Sequence, residues 1–223
     1  MKTLSKAVAL ASLVSASALT AQVANAEVEY SAEAATSYLY RGQDQGASGL
    51  ISGAVDFSHD SGAYAGLWAA GAGGTPEYDL YAGFALETGD ISVDVGAVTY
   101  VYPGFVNDDG SEGDVAPLDG IEAYVNVGFQ GASLSYNIGL ESLEDSSYLS
   151  LGYEMDAYSV TYGMSDDGFG AEYSHIDFGV ALSDDFSLTI SQSMDDSSAA
   201  VVAAGDAAVE DTQVVLTFAL PIK

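Results

Sequence analysis

Hydrophobic and polar positions alternate along most of the chain after residue 26. One stretch sets Ile91, Val93, Val95, Ala97, Thr99 and Val101 against Ser92, Asp94, Gly96, Val98, Tyr100 and Tyr102. A second sets Ile121, Ala123, Val125, Val127 and Phe129 against Glu122, Tyr124, Asn126 and Gly128. A third sets Ala132, Leu134, Tyr136, Ile138 and Leu140 against Ser133, Ser135, Asn137, Gly139 and Glu141. A period of two belongs to strands with unlike faces, and no long helical period competes with it. Twelve segments follow the pattern, near 28–41, 48–58, 62–71, 77–88, 90–102, 120–130, 131–141, 147–155, 157–165, 170–182, 185–194 and 209–220. Most have about ten residues, the length a tilted strand needs to cross a hydrocarbon core. The segments 157–165 and 185–194 are the shortest, and without them the count is ten.

The breaks between segments alternate in length. Tight ones fall at His59–Gly62, Thr88–Asp90, Gln130–Gly131, Met155–Ala157 and Ser183–Asp185. Longer ones fall at 42–47, 72–76, 103–119, 142–146, 166–169 and 195–208. Short turns at one end and long loops at the other are the habit of outer-membrane barrels. The physical reason for a barrel is that lipid offers no hydrogen-bond partner, so only helices and closed sheets span it. The mature chain has no apolar run long enough for a spanning helix. The expected fold is therefore all-β, a closed antiparallel transmembrane β-barrel with its apolar face toward lipid. Trp68 and the tyrosines near strand ends, Tyr38, Tyr40, Tyr64, Tyr78, Tyr100, Tyr102 and Tyr148, are expected in the interfacial girdles. The rival is a soluble sandwich or lipocalin-like barrel, whose apolar face would point inward and whose outer face would be charged. The faces opposite the apolar ones carry mostly Ser, Gly, Asn and Thr, which suits a lumen better than a wetted exterior.

The first 26 residues have a different pattern. Lys2 and Lys6 precede the apolar or small-residue stretch Ala7–Leu19, and Ala24-Asn25-Ala26 forms an A-x-A site before Glu27. That is the layout of a cleaved secretory signal peptide. The expected organisation is a signal peptide at 1–26 and a barrel domain at 27–223. The expected destination is the cell outer membrane, with the barrel-insertion machinery and outer-membrane lipid as partners. Oligomeric state is left open.

Charge sharpens the reading. The 223 residues carry 33 Asp or Glu against four Lys or Arg, a formal net charge of −29, and no Cys. Disulfide scaffolds and thiolate metal sites are excluded. Nucleic-acid binding is excluded as well, since phosphate contacts need cations. Many acids lie in the long connections, among them Asp108, Asp109, Glu112, Asp114, Glu144, Asp145, Asp166, Asp167, Asp195, Asp196 and Asp206. Others fall on the expected inner face: Glu77, Asp79, Glu87, Asp94, Glu122, Glu141, Glu154 and Asp177. Carboxylates ringing a lumen concentrate cations and repel anions. These eight, with Arg41, are the candidate pore-lining or selectivity residues. Arg41 ends the first expected strand. It is either a selectivity element or, more simply, the partner of an acid across the barrel wall.

The segment Ser37-Tyr38-Leu39-Tyr40-Arg41-Gly42-Gln43-Asp44-Gln45 resembles the opening motif of the TorF-like porin family of Gram-negative bacteria. The stretch from Gly53 to Trp68 is similar too, as are Tyr78–Phe84 and Tyr100–Gly104. The resemblance covers the N-terminal half of the mature chain and is compositional beyond residue 105. It implies an outer-membrane β-barrel acting as a channel. The chain departs from the aromatic ending that many such barrels carry, since it closes Phe218-Ala219-Leu220-Pro221-Ile222-Lys223.

Catalysis and metals find little support. There is no G-x-S-x-G, and the two histidines are His59 at a tight turn and His175 in a strand beside Tyr173 and Asp177. The acidic run 108–114 imitates a calcium loop, but Gly110 stands where the third position needs an oxygen ligand. No enzyme activity, cofactor or metal site is expected. The expected function is a porin-like passive channel for small hydrophilic solutes that prefers cations. Its rivals are a structural or adhesive barrel with a plugged lumen and a soluble periplasmic β-protein that binds a small ligand.

Overall fold

In the computed structural model, the described residues are 21–23, 26–45, 49–71, 76–103, 120–168, 172–194 and 212–222. The signal-peptide core, the acidic run 108–114 and the loop acids Asp195, Asp196 and Asp206 lie outside them. Among the described residues there are fifteen strands: β1 (Ala21–Val23), β2 (Ala26–Ala35), β3 (Leu39–Tyr40), β4 (Gln43–Asp44), β5 (Leu50–His59), β6 (Ala63–Gly71), β7 (Glu77–Thr88), β8 (Ile91–Val101), β9 (Gly120–Phe129), β10 (Ala132–Glu141), β11 (Ser147–Met155), β12 (Tyr158–Asp166), β13 (Glu172–Ala181), β14 (Phe186–Met194) and β15 (Thr212–Ala219). Apart from β1, β3 and β4, the twelve remaining strands pair antiparallel with their neighbours in sequence, and β15 returns to β2. The sheet is a closed twelve-stranded barrel.

The tight turns make the register. Gln130 and Gly131 both have positive φ, 48° and 86°, the type I′ geometry whose twist matches paired strands. They place Phe129 opposite Ala132 and so put Ile91, Phe129 and Ala132 on one face of β8, β9 and β10. The same parity carries around the wall, because a slip of one residue would turn every side chain over.

The outer face is greasy. Every exposed large apolar residue in the barrel strands points outward, from Ile51 and Val55 through Leu86, Leu134, Leu151 and Phe178 to Val214. The inner face holds buried Ser31, Glu33, Ser52, Glu77, Asp79, Glu122, Asn126, Asn137, Ser150, His175 and Ser191. A protein folded around an apolar centre in water has the reverse arrangement. This is the arrangement of a transmembrane barrel, in which a closed ladder pairs the wall strands with one another while lipid meets the apolar side chains. Among the described residues, the apolar cluster inside is small, Leu50, Ala54, Trp68 and Ala70 with Ala35, Tyr38 and Tyr81 against them.

The seam between the last and first strands is the shortest ladder of the barrel wall. Thr217, Phe218 and Ala219 pair with Ala35, Ala34 and Glu33, whereas β2 pairs with β5 over ten positions. The Leu216 carbonyl accepts from the Thr36 N–H, and the Leu220 N–H donates to the Ala32 carbonyl, at the two ends of that contact. β1 pairs with Ala26–Val28 on the edge of β2 that β15 leaves open.

Two expectations need correction. The first strand stops at Ala35 and does not run to residue 41; β3 and β4 form a separate two-stranded hairpin. Arg41 therefore ends no wall strand. The second concerns the aromatics. Of the residues assigned to the girdles, Tyr78 faces outward, but Trp68, Tyr64, Tyr100 and Tyr148 share the inward parity of Asp79 and Asp94. Tyr38, Tyr40 and Tyr102 are bonded to wall carboxylates or tyrosines within the lumen. Aromatic type suggested an interface; strand parity decided the face.

The outward face yields a direct test. Leu151 lies at the centre of β11 and is 59% exposed. Leu151→Arg should destabilise the barrel in bilayers by about 2–4 kcal/mol, the cost of a lipid-facing charge near the midplane. Urea titration of the protein folded into vesicles measures it. An unchanged midpoint would mean that this face is wet.

Candidate functional site: a hairpin across an acidic lumen

Two systems of polar side chains occupy the lumen. The first lies flat on the wall. Tyr81, Tyr64 and Tyr124 stand directly across the ladder from Gly66, Gly83 and Gly96, and each ring covers the space a Cβ at its glycine would need. A glycine lets an aromatic ring lie against the backbone of the next strand. The hydroxyls are then tethered: Tyr81 to Asp56, and Tyr64 to Asp94 at 2.6 Å and to Tyr124 at 2.6 Å. Asn126 Nδ2 donates to the other Asp94 oxygen at 3.0 Å, and Ser135 and Asn137 continue the chain of bonds. These bulky rings are thus held along the wall.

The second system crosses the lumen. After β2 the chain turns inward and makes the β3–β4 hairpin, with Gln45 N–H donating to the Tyr38 carbonyl at 2.8 Å. Its two-residue turn is Arg41-Gly42, with φ of 49° and 80°. The left-handed pair is the same I′ geometry used in the wall, and Gly42 is required twice over. Its φ is positive, and a Cβ there would overlap the His175 ring.

Arg41 is held on three sides. Nη1 and Nη2 donate to Glu122 Oε1 and Oε2 at 2.9 and 2.6 Å, a bidentate fork. Its guanidinium carbon lies 4.8 Å from the centre of the Tyr40 ring and 4.5 Å from that of Tyr148. Such cation–π contacts strengthen as water is excluded. Tyr100 donates to Glu122 Oε2 at 3.0 Å and meets Tyr40 at 3.0 Å. Around the ring of strands, β9 and β11 flank β10, which stands opposite β2. The fork and the second ring thus attach the hairpin tip to the far wall.

The base of the hairpin is tied to the near wall. Tyr38 and Tyr102 donate to Glu77 Oε2 and Oε1 at 2.8 and 2.5 Å. Burial, and then the adjacent Glu77 carboxylate, hold both phenols well above their usual range, so they stay protonated donors. The Tyr38 ring packs 6.0 Å from Trp68. Behind it, Trp68 and Asp79 face each other across the β6–β7 ladder. Asp79 is 4% exposed and Trp68 2%, and neither Asp79 Oδ1 nor Trp68 Nε1 has a hydrogen-bond partner among the described residues. Beyond Arg41, buried His175 lies 2.9 Å from Tyr148 Oη through Nε2 and 3.0 Å from Asp177 through Nδ1. Ser191 donates to Asp177 at 2.5 Å, so its hydroxyl engages the carboxylate and not the imidazole.

The sequence candidates thus separate by position. Arg41, Glu77, Asp79 and Glu122 come together at the hairpin, with Asp177 one step away through His175. Asp94 belongs to the wall network. Glu154 is half-buried toward the short-turn end, Glu87 is exposed at the mouth there, and Glu141 is exposed at the long-loop mouth with φ of 55°. Sequence reasoning missed Glu33 and Asp56, which share the inner parity of β2 and β5, and His175 as the seat of Gly42. The β2 parity, with Glu27, Glu29, Ser31 and Glu33 on one side, carried the signal for Glu33.

The class of molecule is a transmembrane β-barrel whose polar, acidic lumen is crossed by an inward-folded hairpin. Residues 21–218 match the model of a family described as bacterial protein of unknown function (Gcw_chp), and the chain belongs to that family. No curated protein matches it. Among solved structures, the barrel is similar to the outer membrane protein OpdK of Pseudomonas aeruginosa, at TM-score 0.44 and 10% identity over 90% of this chain and 68% of that one. It is also similar to OprD of Pseudomonas aeruginosa, at 0.42 and 11% over 90% and 68%. A third is OccAB4 of Acinetobacter baumannii, at 0.40 and 10% over 90% and 63%. These are distant barrels, and nothing about this chain's solutes follows from them.

The seating of the tip can be probed with trypsin. The four basic residues are Lys2, Lys6, Arg41 and Lys223, so Arg41 offers the one cleavage point away from the termini. The folded protein should resist cutting after Arg41. Gly42→Ala should unseat the turn and expose it, giving fragments split at Arg41 on a gel. Equal resistance in both proteins would mean that the Gly42–His175 contact does not hold the tip.

Proposed function

We propose that the protein is an outer-membrane channel for passive diffusion of small hydrophilic solutes, with a preference for cations. The observation that carries this is the charge of the inner face. Glu33, Asp56, Glu77, Asp79, Asp94, Glu122, Glu154 and Asp177 point inward, and Arg41, the sole Lys or Arg among the described residues, is already forked to Glu122. A lumen of that composition holds a negative potential that draws cations and repels anions. The flattened tyrosines and inner serines offer weak contacts from which a solute can leave as easily as it enters. In this proposal the hairpin sets the narrowest level.

On this reading residues 1–26 direct export, the insertion machinery assembles the barrel, and the TorF-like motif 37–45 is the constriction hairpin itself. A second reading has one observation in its favour: a hairpin tied to both walls would suit a plugged structural barrel. Planar-bilayer recording separates the two. The channel reading expects discrete conductance steps from folded protein and, in a salt gradient, a reversal potential of cationic sign. Neutralising the short-turn mouth and lower wall with Glu87→Gln and Glu154→Gln should move that potential toward zero. Folded protein that carries no current in any variant would favour the plug, and an anionic reversal potential would refute the charge argument.

A further inference from the structure

The hairpin is attached in an unusual way for a permanent constriction. Each of its strands is two residues long, pairs only with the other, and joins no wall ladder. Side-chain contacts hold it across the lumen, among them the Arg41–Glu122 fork, the Tyr148 face, the Gly42–His175 contact and the tyrosine bonds to Glu77 and Tyr100. Such an attachment can let go without disturbing the barrel. Seating also leaves something unsatisfied. Among the described residues, Asp79 Oδ1 and Trp68 Nε1 are buried behind Tyr38 without hydrogen-bond partners, and an unmade bond on a buried polar group is unfavourable. Departure of the hairpin would admit water to both.

The far wall, meanwhile, has the form of a receptor. Glu122 presents two oxygens to a planar fork, Tyr100 orients one of them, and the Tyr148 ring supplies a face 4.5 Å from the cation. Those are the parts that bind a guanidinium. Arg41 fills this site as a ligand on a tether.

We propose that the Tyr38–Gln45 hairpin is a releasable latch, and that Glu122, Tyr100 and Tyr148 form a guanidinium-binding site which Arg41 occupies in the latched state and a free guanidinium ion occupies when Arg41 is absent. The proposal rests on the channel reading only for its effect on current; the binding site stands apart from it.

Two readouts keep these separate. Trp68 is the sole tryptophan and lies against Tyr38, so its emission reports the hairpin whether or not the barrel conducts. In detergent-folded protein, Arg41→Ala should shift Trp68 emission to the red. Calorimetry with millimolar guanidinium chloride, against sodium chloride at equal ionic strength, should then give saturable heat with Arg41→Ala. It should give none with the parent protein or with Arg41→Ala/Glu122→Gln. In bilayers, Arg41→Ala should raise single-channel conductance at least two-fold, and guanidinium should lower it again. Should Arg41→Ala fail to fold, Arg41→Lys keeps the charge while losing the fork, and should show the same emission shift in smaller measure. Saturable heat without current in any protein would retain the latch and remove the channel. Unshifted Trp68 emission in folded Arg41→Ala, or equal heats in all three proteins, would overturn the proposal.

Discussion

The constraint on which everything else depends is the backbone's need for hydrogen-bond partners where there is no water. In hydrocarbon each unpaired N–H or C=O costs several kcal/mol, so a sheet that enters lipid must close on itself. Closure turns a period-two sequence into two environments. Leu134, Leu151 and Ile176 can meet acyl chains only because Ser135, Ser150 and Asp177 are carried to the opposite side by the same pleat. The acidic interior is thus a consequence of geometry acting on composition, and it is affordable because a lumen, unlike a packed core, lets charged groups find bonds to one another.

Within that interior the polar groups divide into those that line and those that cross. The lining tyrosines owe their posture to glycines on adjacent strands, and their hydroxyls end on Asp56 and Asp94. The crossing group is organised around a single cation. Arg41 neutralises Glu122 and is enclosed by two rings, so it offsets part of a lumen field that is otherwise one-signed. Removing either partner of such a buried pair leaves the other charge uncompensated, which is the larger part of what such pairs cost to break.

Much of this architecture is legible in the residues. The strand boundaries from β5 to β14 follow alternation and turn residues to within two positions, and the inward parity of Glu77, Asp79, Asp94, Glu122, Glu154 and Asp177 follows from counting by twos. The hairpin is not legible that way. Ser37-Tyr38-Leu39-Tyr40 continues the alternation of the strand before it, and Arg41-Gly42 is a weaker turn signal than Asn-Gly or Asp-Gly. Nothing local says that the chain has left the wall, because what draws it inward is Glu122, 81 positions away. The misplaced tyrosines have the same origin. Their amphipathic rings suit an interface or a lumen equally, and only the register around the whole cylinder tells the two apart.

The seam carries a consequence for how the molecule comes into being. Eleven of the twelve wall contacts join wall strands consecutive in sequence, while the last joins residues such as Thr36 and Leu216, 180 positions apart. Consecutive ladders need only modest loop closure, but this one must wait for both ends of the polypeptide. Assembly is therefore all-or-none at its final step. A chain that has lost β15 would curl into an open trough with two raw edges, and would find no resting place in a membrane.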